Sequence, residues 1–228
     1  MGARRGTRRR QRFVLVGAVC FAALTLTGLA SGKAFEGKGL SPATGSVDLV
    51  NQTWKCTSSV NLDSVTVTMT SGNKVAIVLT NGCTGTIKSI RINTNASDGV
   101  HVNMGAHDVT IGGGSITCTG HVKGAHQDGI QVMSGTNMTF AKLTIDCPTA
   151  NNADLYVNWS GVKNTTPPSN ILCNGCYLYG TQSSTAFIGA HSSDSGLKGS
   201  TLCPSRYFTY RKNSSTAVDA GDAYPKSC

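Results

Sequence analysis

Along most of the chain the apolar residues come in short bursts, and within each burst they tend to alternate with polar ones. Val65-Thr66-Val67-Thr68-Met69, Val100-His101-Val102 and Ile130-Gln131-Val132 show the period of two most clearly, and that period marks strands with one buried face. Val75 to Leu79, Ile87 to Ile92, Val109 to Ile111, Leu143 to Ile145, Leu155 to Val157, Ile171-Leu172 and Ala186 to Ile188 continue the series. No stretch in this region sustains the i, i+3, i+4 spacing of an amphipathic helix. Gly, Ser, Thr and Asn fill the intervals, so the expectation is strands joined by turns.

The bursts repeat as longer phrases. Segments starting at Ile77, Val100, Ile130, Leu155 and Ala186 each hold a strand, a loop and a second strand, and four of them close on a cysteine: Cys118, Cys147, Cys173 and Cys203. The period wanders between 23 and 31 residues. A constant strand phase with variable loops suits a coil that returns to stack on itself, whereas a sandwich would need tight hairpin turns. The expected fold is all-β: a single-stranded right-handed parallel β-helix of about six or seven coils, over residues 35–228, with a C-terminal tail from about residue 204.

The phrases Asp98-Gly99-Val100-His101-Val102 and Asp128-Gly129-Ile130-Gln131-Val132, with the rungs HDVTIGGGSITC and TNMTFAKLTIDC, resemble the right-handed parallel β-helices of the pectin-lyase-like superfamily. The resemblance covers roughly Val60 to Cys203. It implies a secreted protein and, in one branch of that superfamily, a polysaccharide lyase or glycoside hydrolase; other branches are non-catalytic. The polygalacturonase-type Asn-Thr-Asp, Asp-Asp, Gly-His-Gly and Arg-Ile-Lys motifs are missing, since Arg91-Ile92 is followed by Asn93.

Stacking places equivalent residues of adjacent rungs about 4.8 Å apart. Alternation then turns Val100, Val102, Ile130, Val132, Leu155, Val157, Ala186 and Ile188 inward, and sets His101, Gln131, Tyr156 and Phe187 in one outward ladder. Asp98 and Asp128 stack just before that ladder, with Asp154 shifted by one residue. Two exposed carboxylates at this spacing repel unless a cation or hydrogen bonds compensate; they could serve as the acid and nucleophile of a glycosidase or share a calcium ion. Asp98, Asp128 and His126, then His101 and Lys123, are the candidate catalytic residues, with Gln131, Tyr156 and Phe187 as the surface on which a sugar rests. The competing reading is structural: each Asp-Gly is a capped turn, repeated because the rung repeats. Gly112-Gly113-Gly114 is expected as a tight corner and the Asn-rich positions as hydrogen-bonded stacks.

The remaining composition narrows compartment and partners. Arg4, Arg5, Arg8, Arg9, Arg10 and Arg12 precede an apolar run from Phe13 to Ala30 and then small residues, the layout of a secretory signal peptide over residues 1–34 that could also act as a membrane anchor. Setting those six arginines aside leaves 14 of the 20 Lys and Arg against 11 Asp and Glu, a net charge of +3. With no basic patch interleaved with aromatics, the expected partner is a polysaccharide or cell-surface glycan rather than nucleic acid, and a monomer is expected. Of nine cysteines, all but Cys20 follow the leader, and an even number in an exported chain implies disulfides. Cys118 with Cys147, at matching ends of successive rungs, and Cys56 with Cys83 are the expected pairs; Cys173, Cys176, Cys203 and Cys228 leave three pairings open, with one that ties the tail to the last coils preferred.

Overall fold

A computed structural model describes residues 45–71, 74–95, 97–120, 126–150, 152–159, 161, 163, 165–181 and 183–228. The expected leader and the loop residues His121 and Lys123 lie outside the described residues. The first strands are β1 (Ser46–Val50), β2 (Trp54–Cys56), β3 (Ser59–Met69), β4 (Ile77–Leu79) and β5 (Thr84–Thr94). Three strands per turn follow: β6 (Val100–Val102), β7 (His107–Ile111) and β8 (Gly114–Cys118), then β9 (Ile130–Val132), β10 (Thr136–Ala141) and β11 (Leu143–Asp146). The next turns hold β12 (Ala153–Val157), β13 (Ser169–Asn174) and β14 (Tyr177–Leu178), then β15 (Ser184–Ile188), β16 (Gly196–Lys198) and β17 (Thr201–Leu202). β18 (Phe208–Lys212) and β19 (Val218–Ala220) complete the set.

Every pairing between these strands is parallel, from β1 on β3 to β15 on β18. The result is a parallel β-solenoid of about six turns, with no helix among the described residues. One sheet has seven strands in the order β18-β15-β12-β9-β6-β4-β2, and the other has twelve. The segment after Cys203, expected as a tail, continues the stack instead, because β18 pairs with β15 and β19 with β16. Its strand Phe-Thr-Tyr-Arg-Lys lacks the alternating small aliphatics of the earlier rungs. Tyr210 alone turns in against the core, its hydroxyl donating to the Val218 carbonyl at 2.6 Å.

Alternation and burial agree rung by rung. Val100, Ile130, Leu155 and Ala186 form one fully buried column, and Val102, Val132, Val157 and Ile188 the next. These columns belong to a single apolar cluster running from Trp54 to Leu202. The other sheet fills it from the opposite side with Ile87, Ile111, Phe140 and Cys173, and with Ile92, Ile116 and Ile145. Parallel stacking makes each apolar column continuous, so a residue meets partners above, below and across.

Corners need backbone that strands cannot supply. Asp108, Asn137, Asn170 and Asp194 occupy equivalent corner positions, all left-handed with φ of 52, 53, 52 and 47°. Asn and Asp tolerate that region better than other non-glycine residues. Here they also bond one another: Asn137 Nδ2 donates to Asp108 Oδ1 at 3.0 Å and Asn170 Nδ2 to Asn137 Oδ1 at 3.1 Å. This is the hydrogen-bonded Asn stack expected from composition. The triple glycine forms the corner between β7 and β8: at Gly114, φ is 116° and a Cβ would sit 1.8 Å from the Ile90 carbonyl oxygen.

Four disulfides tie the stack, as suits an oxidising environment. Cys118–Cys147 and Cys56–Cys83 join successive turns, with Cα separations of 4.4 and 5.3 Å. Cys203–Cys228 fastens the C-terminus to the last turns, and Cys173–Cys176 closes a local corner.

Candidate functional site

The seven-stranded sheet places the sequence-predicted residues together in the expected register. His101 lies against Gln131, Gln131 against Tyr156 and Tyr156 against Phe187. Val78 precedes this outward column and Arg211 follows it. Asp98 and Asp128 occupy matching positions two residues before their strands, and Ala153 takes the same position in the next rung. Asp154 follows one residue later.

The carboxylates are not exposed, which corrects the expectation of two solvated, repelling acids. Asp98 is 3 % exposed, while Asp128 and Asp154 are fully buried. Each reaches across to the following turn and accepts a backbone N–H. Asp98 Oδ1 accepts from Asp128 N at 2.9 Å, Asp128 Oδ1 from Ala153 N at 2.9 Å, and Asp154 Oδ2 from Gly180 N at 2.7 Å. At Asp98 and Asp128 the second oxygen turns to the ladder residue three positions on. His101 Nδ1 lies 3.0 Å from Asp98 Oδ2, and Gln131 Nε2 donates to Asp128 Oδ2 at 3.1 Å. The repeated phrase Asp-Gly-x-His/Gln thus encodes one module: a buried carboxylate that bonds the next rung with one oxygen and steadies an outward side chain with the other.

The glycines of the phrase have a steric reason. Neither Gly99 nor Gly129 has positive φ, so the turn chemistry expected for Asp-Gly does not apply. A Cβ at Gly99 would lie 2.6 Å from both the Gly129 carbonyl oxygen and Ile116 Cγ2; at Gly129 it would lie 2.5 Å from the Asp154 carbonyl oxygen and 2.4 Å from Ile145 Cγ2. With no side chain there, the rungs approach closely enough for the carboxylates to reach.

Burial dominates the protonation of this stack. It raises Asp128 from 3.8 to about 8, with the nearby Asp98 charge adding to the rise and the N–H donors of Ala153, Asn152 and Gln131 opposing it. Burial also raises Asp154 well above its usual value, against the backbone N–H of Gly180. Asp128 is therefore neutral through the acidic range and into the neutral range, and burial pushes Asp154 in the same direction.

Solvent-facing groups complete the region. His126 is exposed and meets Asp128 only through Asn152, whose Nδ2 is 2.9 Å from His126 Nδ1 and 3.2 Å from Asp128 Oδ2. Its neighbour Gln127 is buried, donating to the Gly120 carbonyl and accepting from Thr149 Oγ1 at 3.0 Å. Gln131 belongs to the outward column yet is only 7 % exposed, because its amide is drawn to Asp128. Calcium does not fit Asp98 and Asp128 as placed, since both oxygens of each carboxylate already face hydrogen-bonding groups and both are buried. No cluster of three or more His, Cys, Asp or Glu with metal-binding geometry occurs among the described residues.

Tyr156 and Phe187 form the open part of the site. Their rings stack at 4.9 Å with 15° between planes, and Asn158 Nδ2 donates to the Tyr156 hydroxyl at 3.1 Å. A shallow recess of about 130 Å³ lies beside them, lined by Asn152, Tyr156, Ser183, Ser184, Phe187 and Arg211. Sequence reasoning missed Asn152 and Arg211. The second was legible, since Arg211 follows Phe187 by 24 residues, within the period of the repeat. Comparison with known proteins finds no matching family model, no matching curated protein and no matching solved structure.

Proposed function

We propose that this solenoid is a non-catalytic, extracellular glycan-binding protein whose ligand rests on the Tyr156–Phe187 ladder. The observation that carries this reading is the stacked, solvent-facing aromatic pair beside a recess rimmed by amide and hydroxyl groups. The stacked rings cover one another's faces and leave an apolar strip of ring edges along which a sugar can lie, and Asn152, Ser183 and Ser184 offer donors and acceptors for its hydroxyls. The stacked carboxylates point to the same conclusion from the other side. Asp98 and Asp128 are spent on rung-to-rung bonds and do not face a common opening, as a pair of catalytic acids must. The signal-like leader, the disulfides and the resemblance to pectin-lyase-like β-helices support an extracellular location.

One geometric feature favours a second reading, that of a polysaccharide lyase or hydrolase. The buried Asp98 carboxylate holds His101 through Nδ1, which orients the imidazole and leaves Nε2 as a group able to move a proton. The two readings part in one experiment. Glycan-array binding and a reducing-sugar and 235 nm absorbance screen over many polysaccharides, with and without calcium, are run on the wild type, Tyr156→Ala and His101→Ala. Binding lost in Tyr156→Ala without turnover by any form supports the binding protein; turnover that disappears in His101→Ala overturns it in favour of the enzyme.

A further inference from the structure

The stack has two open ends, and an Asn-x-Ser/Thr triplet stands at each. Six such triplets occur, at Asn51, Asn95, Asn137, Asn158, Asn164 and Asn213; Asn164 lies outside the described residues. Three of the others have their side-chain amide drawn into the fold. Asn95 Nδ2 donates to the Thr70 carbonyl, Asn137 Nδ2 to Asp108 Oδ1 on the rung before it, and Asn158 Nδ2 to the Tyr156 hydroxyl. Asn51 and Asn213 are exposed. Asn51 accepts from Thr70 N at 2.7 Å through Oδ1, and among the described residues nothing meets Nδ2 of Asn51 or the side chain of Asn213. Their places in the fold match. Asn51 lies in the corner between β1 and β2, and Asn213 in the corner between β18 and β19. Among the described strands, each of these four has a neighbour on one side only: β1 on β3, β2 on β4, β18 on β15 and β19 on β16.

We infer that Asn51 and Asn213 are N-glycan acceptors, and that the two glycans shield the open ends of the solenoid against stacking of one copy on another. The inference rests on the extracellular location and not on the ligand of the Tyr156–Phe187 ladder. The sugar donor in the transfer step is an oligosaccharide carried on a lipid pyrophosphate. A bond forms between the asparagine Nδ2 and C1 of the sugar, and the C1–O bond to the pyrophosphate breaks. The lipid pyrophosphate leaves with that electron pair, and one amide proton is released. At Asn95, Asn137 and Asn158 the sugar would have to occupy the place where the amide now bonds its neighbour; the two end positions have room. The ends also have something to shield. A strand with an unpaired edge offers a row of N–H and C=O groups to any other strand. Four of the six exposed large apolar side chains, Val50, Tyr207, Phe208 and Tyr224, lie in the terminal turns. The seven-stranded sheet ends on β2 and β18, so a second copy set head to tail would continue it, a contact that does not close and builds filaments. A bulky, hydrated glycan beside each edge blocks that contact.

The test uses the full-length disulfide-bonded protein secreted by a eukaryotic host that glycosylates asparagine. Enzymatic release of the N-glycans in heavy-oxygen water converts each occupied asparagine to a labelled aspartate, which peptide mass spectrometry counts. Asn51 and Asn213 should each carry at least about tenfold more label than Asn95, Asn137 or Asn158. The glycosylated protein should sediment as a monomer at every concentration, whereas the double variant Asn51→Asp, Asn213→Asp should form larger species as concentration rises. Aspartate keeps the oxygen that accepts from Thr70 N and tolerates the left-handed backbone of Asn51, where φ is 55°, and melting temperature confirms that the variant is folded. Ser215→Ala, at an exposed position, leaves Asn213 in place but breaks its triplet, and should lose the label there with an unchanged melting temperature. Absence of label from Asn51 and Asn213, or equal label at all five, overturns the acceptor assignment. A double variant that stays monomeric overturns the shielding. Neither result depends on whether Tyr156→Ala alters glycan binding, so this inference and the proposed function fail separately.

Discussion

Replacing Asp128 by Asn should change how stability depends on pH, and the direction follows from burial. Asp128 is raised from 3.8 to about 8, so between those pH values the folded chain holds a proton that the unfolded chain has released. Stability from this group is full below about pH 4 and is lost progressively as pH rises towards about 8, at roughly 1.4 kcal/mol per pH unit. Over four pH units that amounts to about 5 kcal/mol, comparable with the whole stability of many domains. Asp154 is raised as well and steepens the wild-type slope in the same direction. An asparagine keeps the oxygen that accepts from Ala153 N and cannot ionise, so Asp128→Asn should lose one proton's share of the slope. Urea unfolding of both proteins from pH 4.5 to 9 measures this. The variant should be equal to or slightly less stable than wild type at pH 4.5 and clearly more stable at pH 9. The competing possibility is that the three donors at Ala153, Asn152 and Gln131 outweigh burial and keep Asp128 ionised at neutral pH. Two parallel stability curves would establish that outcome and refute the reasoning.

Three further outcomes are expected. Asp128→Ala leaves Ala153 N buried without its acceptor and should cost about 1–3 kcal/mol at pH 5, read by urea unfolding. Gly129→Ala forces a methyl against Ile145 and the Asp154 carbonyl and should lower stability by about 1–3 kcal/mol, while Gly113→Ala, whose Cβ would come no closer than 3.8 Å to any atom beyond its chain neighbours, should change it by less than about 0.5 kcal/mol; equal melting temperatures for the two would contradict the close-approach argument. Converting Cys118 and Cys147, which are 29 residues apart, to serine should cost about 3–4 kcal/mol, against about 2 kcal/mol for the Cys173–Cys176 pair, 3 residues apart, because a longer closed loop restrains the unfolded chain more.

The register was legible because strand alternation leaves only one phase that buries Val100, Ile130, Leu155 and Ala186 together. The same phase identified the outward ladder of His101, Gln131, Tyr156 and Phe187. The direction of the Asp98 and Asp128 side chains was not legible. They precede their strands, where alternation no longer applies, and only the close rung approach permitted by Gly99 and Gly129 turns their oxygens onto the next backbone. The final turn was hidden for another reason. Rungs were recognised by aliphatic pairs and a closing cysteine, and Phe208 to Lys212 carries neither pattern, filling its inward place with Tyr210. Only the 24-residue spacing from Phe187 marks Arg211 on that strand.

The backbone bonds of Asp98, Asp128 and Asp154 run one way, each carboxylate accepting from the turn that follows it, whereas Asp222 in the last turn accepts from Ser200 N before it. Through these three turns the stack therefore has a direction. Each of these rungs presents acceptors at its C-terminal edge, and the next rung meets them with backbone N–H groups, which every residue except proline carries, and at Asp128 with the Asn152 amide as well. Register is thus transmitted from earlier-synthesised sequence to later sequence, as a template is to its copy.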